Sequence, residues 1–439
     1  MKVIHCLNHY LPNHIAGTEV YVSALARELK SLGTKSTIVI PNYGSTKDER
    51  YLFEGTEVIL YGEPSKPDRE LIRGTKYPEG LRNFLAILAK EQPDIINFHE
   101  LAGSNGISLI HVKKARAMGF KIIMTFHIAK YSCKTGTLMY KNGIPCDGVI
   151  RKIRCSKCWL HDKKIKGVPA ELIVAGFTFA DAFHLDTQQW NNSLGTAMAF
   201  PKLIEKLKNE LAELEKNTDA FIVIAQWYKA ILLRNNISPA HIHLITQALP
   251  HKQGLGTEEF SHIKKLHLIF IGRISSFKGV LLLIKAVKML RKEDIHLNIY
   301  GNPTEKEYME QCLTEAEGLD NISFKGSCPP DKVIFTISRH HILCLPSEVC
   351  EMAPLVIQEA FAAGIPVIAS DVYGNAEQIK HGINGWLFKL KDQRDLAGKL
   401  QHLIDHPELI ELTKKNIPTP QKFDAVAGEY VQIYNTVLA

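Results

Sequence analysis

Residues 342–370 read Ile-Leu-Cys-Leu-Pro-Ser-Glu-Val-Cys-Glu-Met-Ala-Pro-Leu-Val-Ile-Gln-Glu-Ala-Phe-Ala-Ala-Gly-Ile-Pro-Val-Ile-Ala-Ser. Two apolar β-rich runs, Ile342 to Leu345 and Pro366 to Ser370, bracket a stretch with helical spacing at 353–363. A strand, a helix and a second strand in so short a span make a right-handed crossover between parallel strands. Two carboxylates punctuate it. Glu351 sits in the loop after the first strand, and Glu359 falls inside the helix among Val356, Ile357, Ala360, Phe361 and Ala363. A carboxylate among apolar side chains is costly unless it is hydrogen-bonded or paired. A ribose diol could satisfy Glu359; a salt bridge within the core is the alternative account.

The same rhythm extends outward. Leu266 to Gly272, His296 to Tyr300 and Ile322 to Lys325 read as strands, with helices expected at 278–291 and 304–317. In the first half, Lys2 to Leu7 is a strand, 18–32 a helix stopped by Gly33, and Thr37 to Ile40 a strand closed by Pro41. Asp94 to Phe98, Lys121 to Phe126, Ala220 to Ile224 and His243 to Ile245 continue as strands, with helices at 104–118 and 227–236. Residues 250–265, with Pro250, Gly254 and Gly256, break the alternation and read as a linker. A chain of 439 residues exceeds what one core usually holds. The expected fold is α/β, two Rossmann-like doubly wound domains facing across a cleft, at 1–250 and 251–420. Ligands of such sheets bind beyond the carboxyl ends of the strands. Residues 421–439 carry helical spacing at Phe423, Val426, Ala427, Tyr430 and Tyr434 and are expected to pack back on the N-terminal domain.

Composition narrows the function classes. A net charge of +7 lacks the clustered excess of a dedicated nucleic-acid binder. No run of ~18 apolar residues suggests a transmembrane helix, and the start of the chain is too interrupted for a signal peptide. Nine cysteines without a secretion signal point to free thiols in a reducing compartment, so a cytoplasmic location is expected. Residues 200–216 form a lysine-rich amphipathic helix, read as packing on the N-terminal domain or as docking on the inner face of an anionic membrane.

Gly272-Arg273-Ile274-Ser275-Ser276-Phe277-Lys278-Gly279 follows one predicted strand and opens a helix. Glycine at the strand end permits a tight turn. Arg273 and Lys278 can then aim at one anion, which the helix N-terminus also favours. Arginine forks two phosphate oxygens, while lysine acts as a point charge. Two solvated cations on an ordinary turn are the other account.

The Glu-x7-Glu spacing of Glu351 and Glu359, the Gly-Arg-x4-Lys-Gly turn and Gly374-x2-Glu377 together strongly resemble the retaining GT-B glycosyltransferases of family 4, the glycosyl transferases group 1, of the polysaccharide-building type. The resemblance covers nearly the whole chain and is densest over 266–400. It implies a hexosyltransferase-type enzyme that moves a sugar from a nucleoside-diphosphate sugar to a glycan or lipid-linked acceptor with retention. It implies Glu351, His127, Arg273 and Lys278 as catalytic residues. For donor binding it implies Gly17, Gly272, Arg273 and Lys278, the backbone of Met352, Ala353, Pro354 and Leu355, the ribose contact of Glu359, a base contact at Lys325, and Gly374. No Asp-x-Asp pair occurs, and no catalytic metal is expected. Departures are Ala16 and Tyr373 where the family often has glycine, and Gln247-Ala248-Leu249-Pro250 in place of Asn-Gly. A nicotinamide oxidoreductase is disfavoured because the first strand–helix turn lacks Gly-x-Gly-x-x-Gly. A non-catalytic nucleotide-sugar-binding scaffold remains the alternative.

Cys133, Cys146, Cys155 and Cys158 lie in an insert at about 131–160, the last two as a Cys-x2-Cys knuckle. Four thiolates can close a tetrahedral structural zinc site. Four unrelated thiols in a surface loop are the other reading.

Overall fold

The computed structural model describes residues 1–102, 105–182, 199–249 and 264–439; the greater part of the expected linker, 250–263, lies outside them. The chain divides into two units. One holds Met1–Lys141, Cys146–Thr246 and Lys422–Ala439, the other Asn142–Pro145 and Gln247–Gln421.

The first unit is built on β1 (Lys2–Cys6), β2 (Lys35–Tyr43), β3 (Glu49–Phe53), β4 (Thr56–Glu63), β5 (Ile95–Phe98), β6 (Lys121–Phe126), β7 (Ala220–Val223) and β8 (Ile242–Leu244). Their order is β8-β7-β6-β5-β1-β2-β4-β3, so the winding reverses between β1 and β5. All pairs are parallel except β3 against β4. Ile4, Val39, Ile96, Ile123 and Ile222 are fully buried, as parallel strands covered on both faces require.

Pro41 does not close β2, which continues to Tyr43. The β1 register ends at Val39, so beyond it β2 keeps only β4 as a neighbour, and a strand unpaired on one side tolerates a missing N–H. The β3–β4 hairpin was not expected from the sequence. Glu54 (φ 49°) and Gly55 (φ 75°) turn it with two left-handed residues, the geometry that matches strand twist.

Helix Phe200–Lys216 buries Ile204, Leu207, Leu211 and Leu214, which commits its apolar face to packing in this unit. Helix Phe423–Leu438 packs on helix Gly17–Ser31. Its Tyr430 and Tyr434 are fully buried and reach the sheet. The Thr125 and Tyr430 hydroxyls are 3.3 Å apart, Asn97 Nδ2 donates to the Tyr434 hydroxyl at 3.2 Å, and Tyr21 donates to Tyr430 at 3.2 Å.

The second unit carries β9 (Leu266–Ile271), β10 (Ile295–Tyr300), β11 (Ile322–Phe324), β12 (Ile342–Leu345), β13 (Val367–Ser370) and β14 (Gly385–Phe388). All are parallel, in the order β11-β10-β9-β12-β13-β14, and the winding reverses between β9 and β12. Alternate residues of β9 serve opposite cores. Leu268 and Phe270 join Leu283, Val287 and Leu297, while Ile269 joins Leu345, Ile357 and Val367. Both units are thus doubly wound Rossmann-like domains. Among the described residues no helix is long and apolar enough to cross a membrane.

Candidate functional site

In the second unit, the loops after β9 and β12 leave the sheet where the winding reverses, the place where open α/β sheets bind ligands. Gly272 ends β9, and a short turn at Ser276–Lys278 leads to Gly279 and helix Val280–Lys288. Gly279 takes a left-handed conformation (φ 70°), and a Cβ there would lie 2.0 Å from the carbonyl oxygen of Pro346. Only glycine lets the two loops come this close.

That closeness brings Lys278 to Glu351. The Lys278 ammonium and the Ser347 hydroxyl each donate to Glu351 Oε1 at 2.6 Å. Burial alone would raise the Glu351 pKa, but Lys278, Ser347 and Arg273 outweigh it and hold the carboxyl below its usual range. Arg273 is exposed and has no ion-pair partner among the described residues. A phosphate arriving here meets a free guanidinium and an ammonium it must share with a carboxylate.

Residues that sequence reasoning missed hold this loop. Ser370 Oγ donates to the Ser347 carbonyl at 2.6 Å, and Asn375 Nδ2 donates to the Ser370 carbonyl at 3.0 Å. Gly374 also lies against this loop. A Cβ on it would sit 2.1 Å from the Glu351 carbonyl oxygen, so its bareness seats the Glu351 loop.

Helix Leu355–Ala362 begins after Pro354. Pro354 has no N–H, so of the expected run only Met352, Ala353 and Leu355 can donate from the backbone. Glu359 lies on this helix, and no donor reaches its carboxylate among the described residues. Burial raises its pKa to about 7. Lys325 follows β11 with an exposed side chain, and its N–H is already bonded to the Ile299 carbonyl at 2.8 Å. A base contact from its backbone therefore has to come from the carbonyl.

In the first unit, Gly17 opens helix Gly17–Ser31, and a Cβ on it would meet open space. His127 lies just beyond β6 and is 8% exposed. Its Nε2 is 3.0 Å from His99 Nδ1, and His99 Nε2 is 3.0 Å from His5 Nδ1. Burial pulls the pKa of His127 and of His5 down to about 3, and that of His99 well below normal. His5 and His99 were not assigned from sequence. They stand 94 residues apart and meet only because β1 pairs with β5.

Cys133, Cys146, Cys155 and Cys158 are free thiols that line one void of about 30 Å³. Burial pushes Cys155 up to about 11. The Arg151 N–H donates to Cys155 Sγ at 3.3 Å, and the Lys141 N–H to Cys158 Sγ at 3.2 Å. Among the described residues no three His, Cys, Asp or Glu side chains stand where they could hold a metal ion.

Two family models match the chain, Glycosyltransferase Family 4 over residues 15–142 and Glycosyl transferases group 1 over 258–419. The chain belongs to the family 4 glycosyltransferases. The chain is 28% identical over 177 residues to an uncharacterized glycosyltransferase of Methanocaldococcus jannaschii, covering 39% of this chain and 45% of that protein. It therefore spans about half the length of that relative. It is 21% identical over 297 residues to the amylovoran biosynthesis glycosyltransferase AmsK of Erwinia amylovora, covering 64% of this chain and 69% of AmsK. Among solved structures, it superposes on the sucrose-phosphate synthase of Thermosynechococcus elongatus with a TM-score of 0.67 at 17% identity, covering 99% and 98% of the two chains. It superposes on Anabaena HepE in complex with UDP and glucose with a TM-score of 0.65 at 11% identity, covering 99% and 100%. These structures share the GT-B fold.

Proposed function

We propose that this glycosyltransferase moves a hexosyl unit from a nucleoside-diphosphate sugar to a glycan or lipid-linked acceptor, with retention, in cell-surface polysaccharide assembly. One observation carries the reading. Lys278 and Glu351 meet at the winding reversal of the second unit, beside Arg273, which has no ion-pair partner among the described residues, and on the same loop–helix unit as Glu359, which no described donor reaches. Arg273 and Lys278 bind the diphosphate and stabilise the charge that builds on it as the sugar–phosphate bond breaks. Glu359 accepts the ribose hydroxyls, Glu351 lies against the transferred sugar, and the Met352, Ala353 and Leu355 amides meet sugar and phosphate oxygens. Gly17 and His127 serve from the first unit, which we assign to the acceptor, with 251–420 assigned to the donor. The name of AmsK supports the pathway, and the UDP and glucose bound to HepE support the donor class. The reading sets the enzyme in the cytoplasm, at the inner face of the membrane where lipid-linked acceptors lie.

Thermal-shift measurements with UDP, GDP, ADP and NAD test it. One nucleoside diphosphate should stabilise the protein, by about 2.7 kcal/mol at a hundredfold excess over its Kd. The shift should disappear in Glu359→Ala and Lys278→Ala. A shift with NAD alone, or with nothing, sinks the donor site. An inverted anomer in the product, read by NMR, sinks retention. Binding without turnover on UDP-, GDP- or ADP-sugars leaves the scaffold alternative standing.

The proposal extends to the insert, where the four cysteines would hold a structural zinc. Their shared void and the two backbone N–H groups on Cys155 and Cys158 support it. The thiols would have to swing inward and lose their protons on binding. Elemental analysis of freshly purified protein should find one zinc per chain, lost in Cys155→Ser; a metal-free protein with four reactive thiols rules it out.

A further inference from the structure

The three buried histidines of the first unit obey a strict proton count. Each ring is neutral, because burial keeps its pKa far below the working range. A neutral imidazole carries one N–H. Each contact, His5 Nδ1 to His99 Nε2 and His99 Nδ1 to His127 Nε2, needs one proton between its two nitrogens. If the protons of both contacts belonged to the outer rings, His99 would be an imidazolate. If both belonged to His99, it would be a buried imidazolium. Both are excluded at neutral charge, so all three rings carry the proton on the same type of nitrogen.

Either every ring holds it on Nδ1 or every ring holds it on Nε2. The chain ends at Ser36, whose hydroxyl lies 3.3 Å from His5 Nε2 and can donate or accept, so it satisfies either choice. At the other end, His127 Nδ1 has no partner among the described residues and is not sealed from solvent. Tyr21 meets the His127 ring edge-to-face at 4.9 Å between centroids.

We propose that His99, backed by His5, is a positioning residue for His127: it fixes the ring's orientation and ties its tautomer to that of the other two rings, so that His127 meets its ligand through Nδ1 as a neutral group whose hydrogen-bond polarity the three rings set together. The role of that ligand contact rests on the glycosyltransferase reading. The tautomer statement does not.

Two substitutions separate the arms of His99. In His99→Asn, the side-chain amide occupies the place of Nδ1 and keeps the contact to His127 while losing His5. In His99→Gln, it occupies the place of Nε2 and keeps His5 while losing His127. Histidine-selective ¹⁵N NMR of the full chain, with His127→Ala for assignment, should show one and the same neutral tautomer balance for His5, His99 and His127 in wild type. In His99→Gln the His127 signals should move away from that common balance, because the ring has lost its tie to the other histidines. Release of nucleoside diphosphate from UDP-, GDP- or ADP-glucose should fall in kcat by on the order of a hundredfold in His99→Gln. The KM should stay within about twofold, and His99→Asn should retain most of the rate. Equal losses in the two variants, or a His127 signal unchanged by His99→Gln, overturn the proposal. The NMR result decides it even if none of the three sugar nucleotides is turned over.

Discussion

Replacing Glu359 with glutamine should make the ligand-free protein more stable while disabling it. The carboxyl of Glu359 titrates near 7, against 4.5 for an ordinary glutamate. At 1.36 kcal/mol per pH unit that gap corresponds to about 3 kcal/mol, and partial exposure of the side chain lowers it to roughly 1–3 kcal/mol. The sign follows from proton counting. Below pH 4.5 the folded and unfolded chains both hold the proton, and there is no cost. Between 4.5 and about 7 the unfolded chain releases a proton that the folded one keeps, so stability falls as pH rises. Above 7 the folded protein carries an unpaired carboxylate and the full cost. Glutamine has no such charge at any pH. Unfolding free energies from urea titrations should therefore coincide for wild type and Glu359→Gln near pH 4.5 and diverge by roughly 1–3 kcal/mol, in favour of the variant, at pH 8. Nucleotide affinity should move the other way. Ribose hydroxyls donate to the ionised form, so wild-type binding should strengthen from pH 5 to 7 and level off above, and the variant should bind weakly throughout. Parallel stability curves for the two proteins would mean that Glu359 is already satisfied without ligand, and the ribose assignment would lose its basis.

Other perturbations have defined outcomes. Lys278→Met strips Glu351 of its cation, so chemical denaturation should show a loss of about 1–3 kcal/mol and the nucleoside-diphosphate thermal shift should vanish. Gly374→Ala drives a Cβ into the Glu351 carbonyl, so turnover of the preferred sugar nucleotide should fall at least tenfold while circular dichroism stays native; an unchanged rate would show that the Glu351 loop can move freely. Tyr430→Phe removes a hydroxyl shared by Thr125 and Tyr21, and urea unfolding should register a cost of about 1–2 kcal/mol.

The alternation of strands and helices was legible because buried parallel strands are short apolar runs, and Ile342–Leu345 could hardly be anything else. Lys278 and Glu351 were legible as a site, yet not as an ion pair, since their separation of 73 positions is closed only by β9 lying beside β12. The β3–β4 hairpin escaped because Glu54–Gly55 is a poor advertisement for a left-handed turn, and β3 is mostly exposed. Pro41 misled because a proline's cost depends on which side of the strand lacks a neighbour, which local sequence does not say. The partners that seat Glu351, Ser370 and Asn375, carry no chemical signature of their own. Their effect depends on a backbone carbonyl at Ser347, which every residue has.

Helix Phe423–Leu438 belongs to the first unit although residues 247–421 separate it from the rest of that unit. On the ribosome, where domains usually fold in the order they emerge, this chain inverts the sequence of events. The unit begun first lacks the tyrosines that meet Asn97 and Thr125 until the other unit has been made in full. Until then Asn97 and Thr125 lack these hydroxyl partners. The first unit is therefore completed only after the second, and a nascent chain stalled before residue 423 should expose the first unit to proteases.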